Sequence, residues 1–360
     1  MRSKKILVLF CLFAIVVLTS SCKKDLQPVE EPNALYVLDF GVFPSPTIAS
    51  DNPLTREGVQ LGRMLFYEKM LSRTNTQACA SCHMQQFAFN DTAKFSTGVN
   101  GFLVGRNGMS IFNMAWNTNQ FFWDGRSNLL RHQSLKPIQD YLEMDETLEN
   151  VVSKLQASTN YPNQFKRAFG TTQIDTILIS KALEQFMNSI VSNNSKYDKF
   201  LAGTTTLTTQ EERGRYLFFT EYNPGFPATS GADCNHCHGG ANFENDSYMN
   251  NGIDYTANIT DIGRENVTNN TDDKAKFKVV SLRNVELTAP YMHDGRFATL
   301  DQVVEHYNLV KNSTTLDASF QQQLPNGLQL TAADKQALVA FLRTLTDQKL
   351  ITNPEYKSPF

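Results

Sequence analysis

Two copies of one five-residue pattern restrict this chain more than any other feature. Cys79-Ala80-Ser81-Cys82-His83 and Cys234-Asn235-His236-Cys237-His238 stand 155 positions apart. They belong to a diverged internal repeat, and a repeated unit dictates the architecture before any single residue does. Ahead of each copy, Gly62-Arg63-Met64-Leu65-Phe66 matches Gly214-Arg215-Tyr216-Leu217-Phe218. Each of these segments is expected on a helix, the second opened by Thr209 with Glu212 as a capping box. Behind each copy, Arg106-Asn107 leads to "FFWDGR" and Arg283-Asn284 leads to "YMHDGR". Then "ALEQFMNSI" (182–190) matches "ALVAFLRTL" (337–345), again 155 apart, with Ile179, Leu183, Phe186 and Ile190 in one and Leu338, Phe341 and Leu345 in the other at helical spacing. Strand signals are few. The polar stretch 244–273 reads as a long loop, and a loop of that length needs a ligand or a function to explain it.

A C-x-x-C-H pattern reads as covalent attachment of a c-type haem, with the adjacent histidine placed to ligate the iron. The rival is zinc, held as a Cys₄ site by the two C-x-x-C pairs. Against zinc stand the histidine directly after both copies, the separate helices each copy owns, and the export signal. Two haems are therefore expected, on Cys79, Cys82 and His83 and on Cys234, Cys237 and His238. The fold expected is all-α: two cytochrome c-like helical haem domains packed face to face, with long loops.

Residues 1–21 read as a targeting segment: Arg2, Lys4 and Lys5, then "ILVLFCLFAIVVL", then "TSSC". The run is too short and wrongly flanked for a good transmembrane helix. It resembles a bacterial lipoprotein signal with Cys22 as the lipidated residue, although Leu18 lies one place further from the cysteine than usual. An ordinary cleaved signal is the plainer reading. A tether (22–50), a first haem domain (51–201), a second (202–350) and a C-terminal tail (351–360) would follow. Removing 1–21 changes the formal charge from −3 to −6. No basic run suggests nucleic acid, and a mildly acidic surface suits a basic protein partner. All six cysteines are accounted for, which leaves none for a separate disulfide.

The face of each iron opposite its histidine decides between electron transfer and reactivity. Aligning "WDGR" with "HDGR" puts Tyr307, fourteen residues after His293, at the position of Pro137, fourteen after Trp123. Tyrosine can ligate ferric iron and proline cannot. The first haem would be open and the second closed by Tyr307, with Met292, Met249 and His306 as the other candidates.

These motifs together, from about residue 55 to 345, resemble the bacterial di-haem cytochrome c peroxidase family, which includes the tyrosine-ligated MauG branch. The resemblance implies that Trp123 carries electrons between the haems. It implies that Gln133, Pro137 and Glu143 form the distal pocket of the peroxidatic haem. Asn107, Thr288 and Pro290 would hold a calcium ion, the last two through backbone carbonyls, as suits a hard cation. Glu143 would take the proton from the bound peroxide oxygen and return it to the leaving one, while Gln133 orients peroxide or water.

Two departures stand out. No histidine occurs between His83 and His132, and the loop that holds a removable distal histidine in many relatives reads "STGVNG" (96–101). The first haem should then need no activation, unless His132 serves as a hidden ligand. Also, "SGAD" precedes Cys234 and the only tryptophans are Trp116 and Trp123, so the tryptophan that serves MauG's protein substrate has no match. The activity expected is reduction of hydrogen peroxide with electrons from a small cytochrome or similar donor, on the periplasmic side of a membrane. A MauG-like oxidase acting on a protein or small organic substrate is the alternative. A non-enzymatic electron carrier would require both irons closed. Family members are often dimers, which leaves a homodimer open.

Overall fold

The computed structural model describes residues 33–41 and 43–360. The signal segment, Cys22 and the first part of the expected tether lie outside the described residues. No helix among the described residues is long and apolar enough to cross a membrane.

Each repeat is built on one crossing of two helices. Arg56–Tyr67 packs on Thr176–Ser189, and Thr209–Phe219 packs on Ala332–Arg343. Side-chain caps start all four: Thr55 accepts from Gly58 N–H, Asp175 from Leu178, Thr208 from Glu211 and Thr331 from Asp334. The third corrects the expectation for Thr209 and Glu212. Glu211 reaches back to the Thr208 N–H at 2.7 Å, while Glu212 pairs with Arg215.

The glycines set the crossing distance. A Cβ on Gly62 would lie 1.9 Å from the carbonyl oxygen of Ala182, and one on Gly214 would lie 1.9 Å from that of Ala337. No side chain fits there, so the helices meet backbone to backbone and bury Phe186 and Phe341 completely. Burial of each ring is worth roughly 1.5–3 kcal/mol.

Two apolar cores result. One is centred on Phe66, Phe186 and Ile138, the other on Phe218, Phe341 and Leu300. Strand structure among the described residues is one antiparallel pair, Tyr248–Met249 with Phe277–Lys278. Tyr197, ahead of the join expected at 202, packs in the second core.

Both chain ends pack more closely than a tether and a tail imply. Tyr36 N–H donates to Leu54 O, Phe43 is buried, and Trp116 Nε1 donates to Pro44 O at 2.7 Å. At the other end Leu350 and Tyr356 join the first core. The Tyr356 hydroxyl donates to Ser189 O at 3.0 Å and accepts from Val191 N–H at 3.1 Å. Residues 350–356 thus pack on the first repeat.

The repeat register also differs from the sequence alignment at one point. The partner of Asn284 is Asn113, not Asn107. Both asparagines are fully buried, both hold a left-handed backbone (φ 54° and 57°), and both open a short 3₁₀ turn. Asn113 N–H donates to Ile190 O and Asn284 N–H to Leu345 O. Their Oδ1 atoms accept from Ser192 and Asp347 N–H, each at 2.8 Å. A buried backbone turn needs such partners, which is why asparagine recurs there.

Candidate active site

Both motif histidines are oriented in the same way. His83 Nδ1 lies 3.0 Å from Phe89 O, and His238 Nδ1 lies 3.2 Å from Phe243 O. A carbonyl can only accept, so Nδ1 carries the proton and Nε2 keeps its lone pair for a metal. Phe89 and Phe243 both take left-handed backbone (φ 57° and 54°) to present those carbonyls. Burial lowers both histidines, His238 to about 4, so each is neutral and able to ligate at ordinary pH. The four motif cysteines are free, and burial pushes their thiols up, Cys82 to about 11 and the others to about 12. No group of three or more His, Cys, Asp or Glu side chains among the described residues is close enough to hold a metal ion. The two C-x-x-C pairs therefore do not converge on a Cys₄ zinc site.

One cavity of about 690 Å³ is lined by both motifs and by apolar residues of both helix crossings, Leu183 and Met187 from one and Leu338 and Leu342 from the other. The chemistry of its walls fits two haems: thiols for attachment, one unprotonated imidazole nitrogen per site, and apolar faces between.

The distal walls come from two equivalent helices. Leu130–Gln139 presents Leu130, Gln133, Ser134 and Pro137 to the cavity. Leu300–Asn308 presents Leu300, Val303, Val304 and Tyr307. The spacing is one helical face in both. The loops ahead of them match as well, with Phe121 paired to Ser127 and Tyr291 to Phe297. Pro137 and Tyr307 thus occupy the same turn, as do Gln133 and Val303. His132, one residue from Gln133, is exposed and is not a lining residue.

Backbone folding at the end of the first distal helix brings in Glu143. Met144 N–H donates to Pro137 O at 3.1 Å and Glu146 N–H to Ile138 O at 2.8 Å, so the chain turns back over the helix terminus. The 96–101 loop grips that turn: Val99 N–H donates to Glu143 O at 2.8 Å, and a Cβ on Gly98 would lie 2.1 Å from Leu142 O. Glu143 lines the cavity, where burial and then Asp140 push its carboxyl up to about 7, against a lowering by Arg126.

Trp123 lines the cavity, and its Nε1–H donates to Asn107 O at 2.8 Å. The long loop is the strap that holds this region. Arg264 donates to Asp124 O and Asp261 pairs with Arg106 at 2.7 Å, and just beyond the loop the strand residue Lys278 donates its N–H to Trp123 O at 2.8 Å. Its function is partly structural, joining the second repeat to the tryptophan loop of the first.

Asn107, Thr288 and Pro290 all line the cavity. Asn107 Nδ2 donates to Ala93 O and Lys94 O, each at 3.1 Å, which leaves Oδ1 as an acceptor. Asn90 donates to Thr288 O at 3.0 Å, and its own buried Oδ1 has no partner. The orphaned Asn90 oxygen is a neutral, hard donor of the kind Ca²⁺ takes.

Of the candidates for the second haem, Tyr307 and Met292 both contact Asn251, at 3.1 and 3.5 Å from Nδ2. Met249 Sδ lies 3.2 Å from Cys237 Sγ. His306 is buried with Nε2 donating to Asn251 O at 3.1 Å. Burial pushes the Tyr307 phenol up to about 12, against a lowering from the Asn251 hydrogen bond. Asn251 was not legible as a site residue, because "YMNNGID" reads as an ordinary turn.

The profile of the family described as di-haem cytochrome c peroxidase matches residues 56–206. The cytochrome c551 peroxidase of Nitrosomonas europaea is 32% identical over 318 residues, covering 88% of this chain and 86% of its own. The methylamine utilization protein MauG of Methylophilus methylotrophus is 30% identical, covering 82% and 84%. A crystal structure of a MauG-like protein associated with microbial copper homeostasis superposes with a TM-score of 0.79 at 32% identity, covering 90% of this chain and 99% of that one. On these matches, this chain belongs to the di-haem cytochrome c peroxidase and MauG family, which carries two c-type haems.

Proposed function

We propose that this protein is a di-haem peroxidase that reduces hydrogen peroxide to two waters, with two electrons from a small cytochrome c or similar redox protein and two protons. It acts after export, on the periplasmic side of a bacterial membrane, anchored through lipidated Cys22. The reading rests chiefly on the contrast between the two distal helices. Equivalent faces carry Pro137 over one site, with no donor for a metal, and Tyr307 over the other.

A haem at each site would supply an iron able to exchange electrons, and Pro137 offers no donor to the first, which would leave room for peroxide there. His83 and His238 ligate through Nε2. Glu143, poised near neutrality, takes the proton from one peroxide oxygen and delivers it to the other. Gln133, one helical turn before Pro137, orients peroxide by hydrogen bonding. Trp123 would pass electrons from the second site to the first, and Tyr307 would hold the second through its phenol oxygen. Asn107, Thr288 and Pro290 hold Ca²⁺ beside the tryptophan loop. Chelation should therefore impair electron transfer between the sites, and added Ca²⁺ should restore it.

The MauG-like reading, an oxidase of a protein or organic substrate, draws on Tyr307 and on the likeness to the MauG-like copper-homeostasis protein. Steady-state oxidation of a reduced small cytochrome c by hydrogen peroxide separates the two. The fully ferric enzyme should turn over without pre-reduction. A need for pre-reduction would overturn the open first site, and no turnover at all would overturn the peroxidase reading in favour of the oxidase.

A further inference from the structure

Asn251 sits on the wall of the second site with its side chain already committed. Its Nδ2 donates to the Tyr307 hydroxyl oxygen at 3.1 Å and lies 3.5 Å from Met292 Sδ. Its carbonyl accepts from His306 Nε2 at 3.1 Å. One residue thus grips two neighbours on the same helix, one through its side chain and one through its backbone.

The grip is rigid. Neighbouring Asn250 is buried, donates to Thr314 O at 2.8 Å, and accepts from Gly252 N–H at 3.0 Å. Gly252 takes a left-handed backbone (φ +64°), and a Cβ there would lie 2.6 Å from Lys311 O. Lys311 N–H returns a bond to Gly252 O at 3.0 Å. Asn251 is therefore held in place by backbone on both sides, as a group that must aim one atom requires.

We propose that Asn251 is a positioning residue that sets the reduction potential of the second haem through the oxygen of Tyr307. This rests on the reading of Tyr307 as that haem's ligand. An amide N–H on a phenolate oxygen draws charge away from the bond to iron. Less charge donated favours the ferrous state relative to the ferric, so the hydrogen bond raises the potential. Hydrogen bonds to ligand atoms are among the recognised means by which a protein tunes a metal centre. Met292, beside the same amide, is a packing neighbour and not the route of the effect.

The test is spectroelectrochemistry of the di-haem protein. N251L removes the donor at similar volume, and N251A removes it with less bulk, so the second covers a failure of the first to fold. Each should shift the ferric–ferrous equilibrium of the second haem toward ferric by about tenfold, or about 59 mV for a one-electron couple. The first haem should keep its potential, M292L should leave the second haem unmoved, and N251L should add nothing in a Y307F background. An unchanged potential in N251L and N251A, with Y307F altering the spectrum, would overturn the proposal alone. So would an equal shift in M292L. A Y307F protein with the wild-type spectrum would overturn the ligand reading itself, and the proposal with it.

Discussion

The indole Nε1–H of Trp123 donates to the carbonyl oxygen of Asn107 at 2.8 Å, and the N–H of Asn107 donates in turn to the carbonyl of His293 at 2.7 Å. Trp123 and His293 are equivalent residues of the two repeats, so the Asn107 backbone joins the repeats beside the tryptophan proposed to carry electrons. Trp123→Phe keeps a ring but loses the N–H and the readily oxidised indole. Turnover with reduced cytochrome should fall about tenfold or more, at least about 1.4 kcal/mol in barrier, with both haem spectra retained. The orphaned Asn107 oxygen should also cost about 1–3 kcal/mol of stability. Turnover at the wild-type rate would remove Trp123 from the electron path.

Gly62→Ala and Gly214→Ala test the helix crossings. Each new methyl meets a backbone carbonyl at 1.9 Å, not the end of a movable side chain. The helices must part, and overpacking of this kind costs about 1–3 kcal/mol, sometimes more. The melting temperature of either variant should drop, and haem incorporation with it, because each crossing forms one wall of the cavity. A variant as stable as the parent would mean that the crossing adapts more than its geometry implies.

Much of this arrangement was legible because repeated chemistry leaves repeated spacing. The interval from Trp123 to Pro137 equals that from His293 to Tyr307, and the two helices present the same face. The pairing of Asn107 with Asn284 failed for a physical reason. Both follow arginine, but only Asn113 shares with Asn284 the buried left-handed turn that needs an asparagine side chain. The signal lay in "SIFN" against "SLRN", a weaker identity than Arg-Asn. Docking of Phe43 and Tyr356 was not legible, since their partners Trp116 and Val191 are distant in sequence. Asn251 escaped notice because a hydrogen bond across the cavity has no periodicity.

Glu143 gives the pH dependence its sign. In the role proposed for it the carboxylate form accepts the proton, and burial lifts its pKa from 4.5 to about 7. kcat/KM for peroxide should therefore rise with pH, with a midpoint near 7 and not near 4.5. Glu143→Gln should lower it about 10²–10⁴-fold and flatten that limb. The same shift acts on folding in the opposite sense. The neutral carboxyl is favoured in the folded state, so this contribution to stability is present below about 4.5 and is lost as pH rises toward 7. A midpoint unchanged in the glutamine variant would assign the proton transfer to another group.

Tyr307→Met asks what closes the second site. The residue lies on the same turn of its helix as Pro137 does on the other, and its oxygen is held at 3.1 Å by Asn251. A thioether is a softer, neutral donor and stabilises ferrous iron better than a phenolate does. The variant should therefore show a His/Met spectrum at one haem and a potential higher by at least about 59 mV, a tenfold change in a one-electron equilibrium. The first haem should be unchanged, since Pro137, Gln133 and Glu143 all belong to the other wall. Peroxide reduction should continue if the second haem is chiefly an electron relay, whereas oxidation of an organic substrate should fail if it depends on the high oxidation states that an anionic ligand favours. An unaltered spectrum would exclude Tyr307 and leave Met292, the other side chain beside Asn251, as the next to replace.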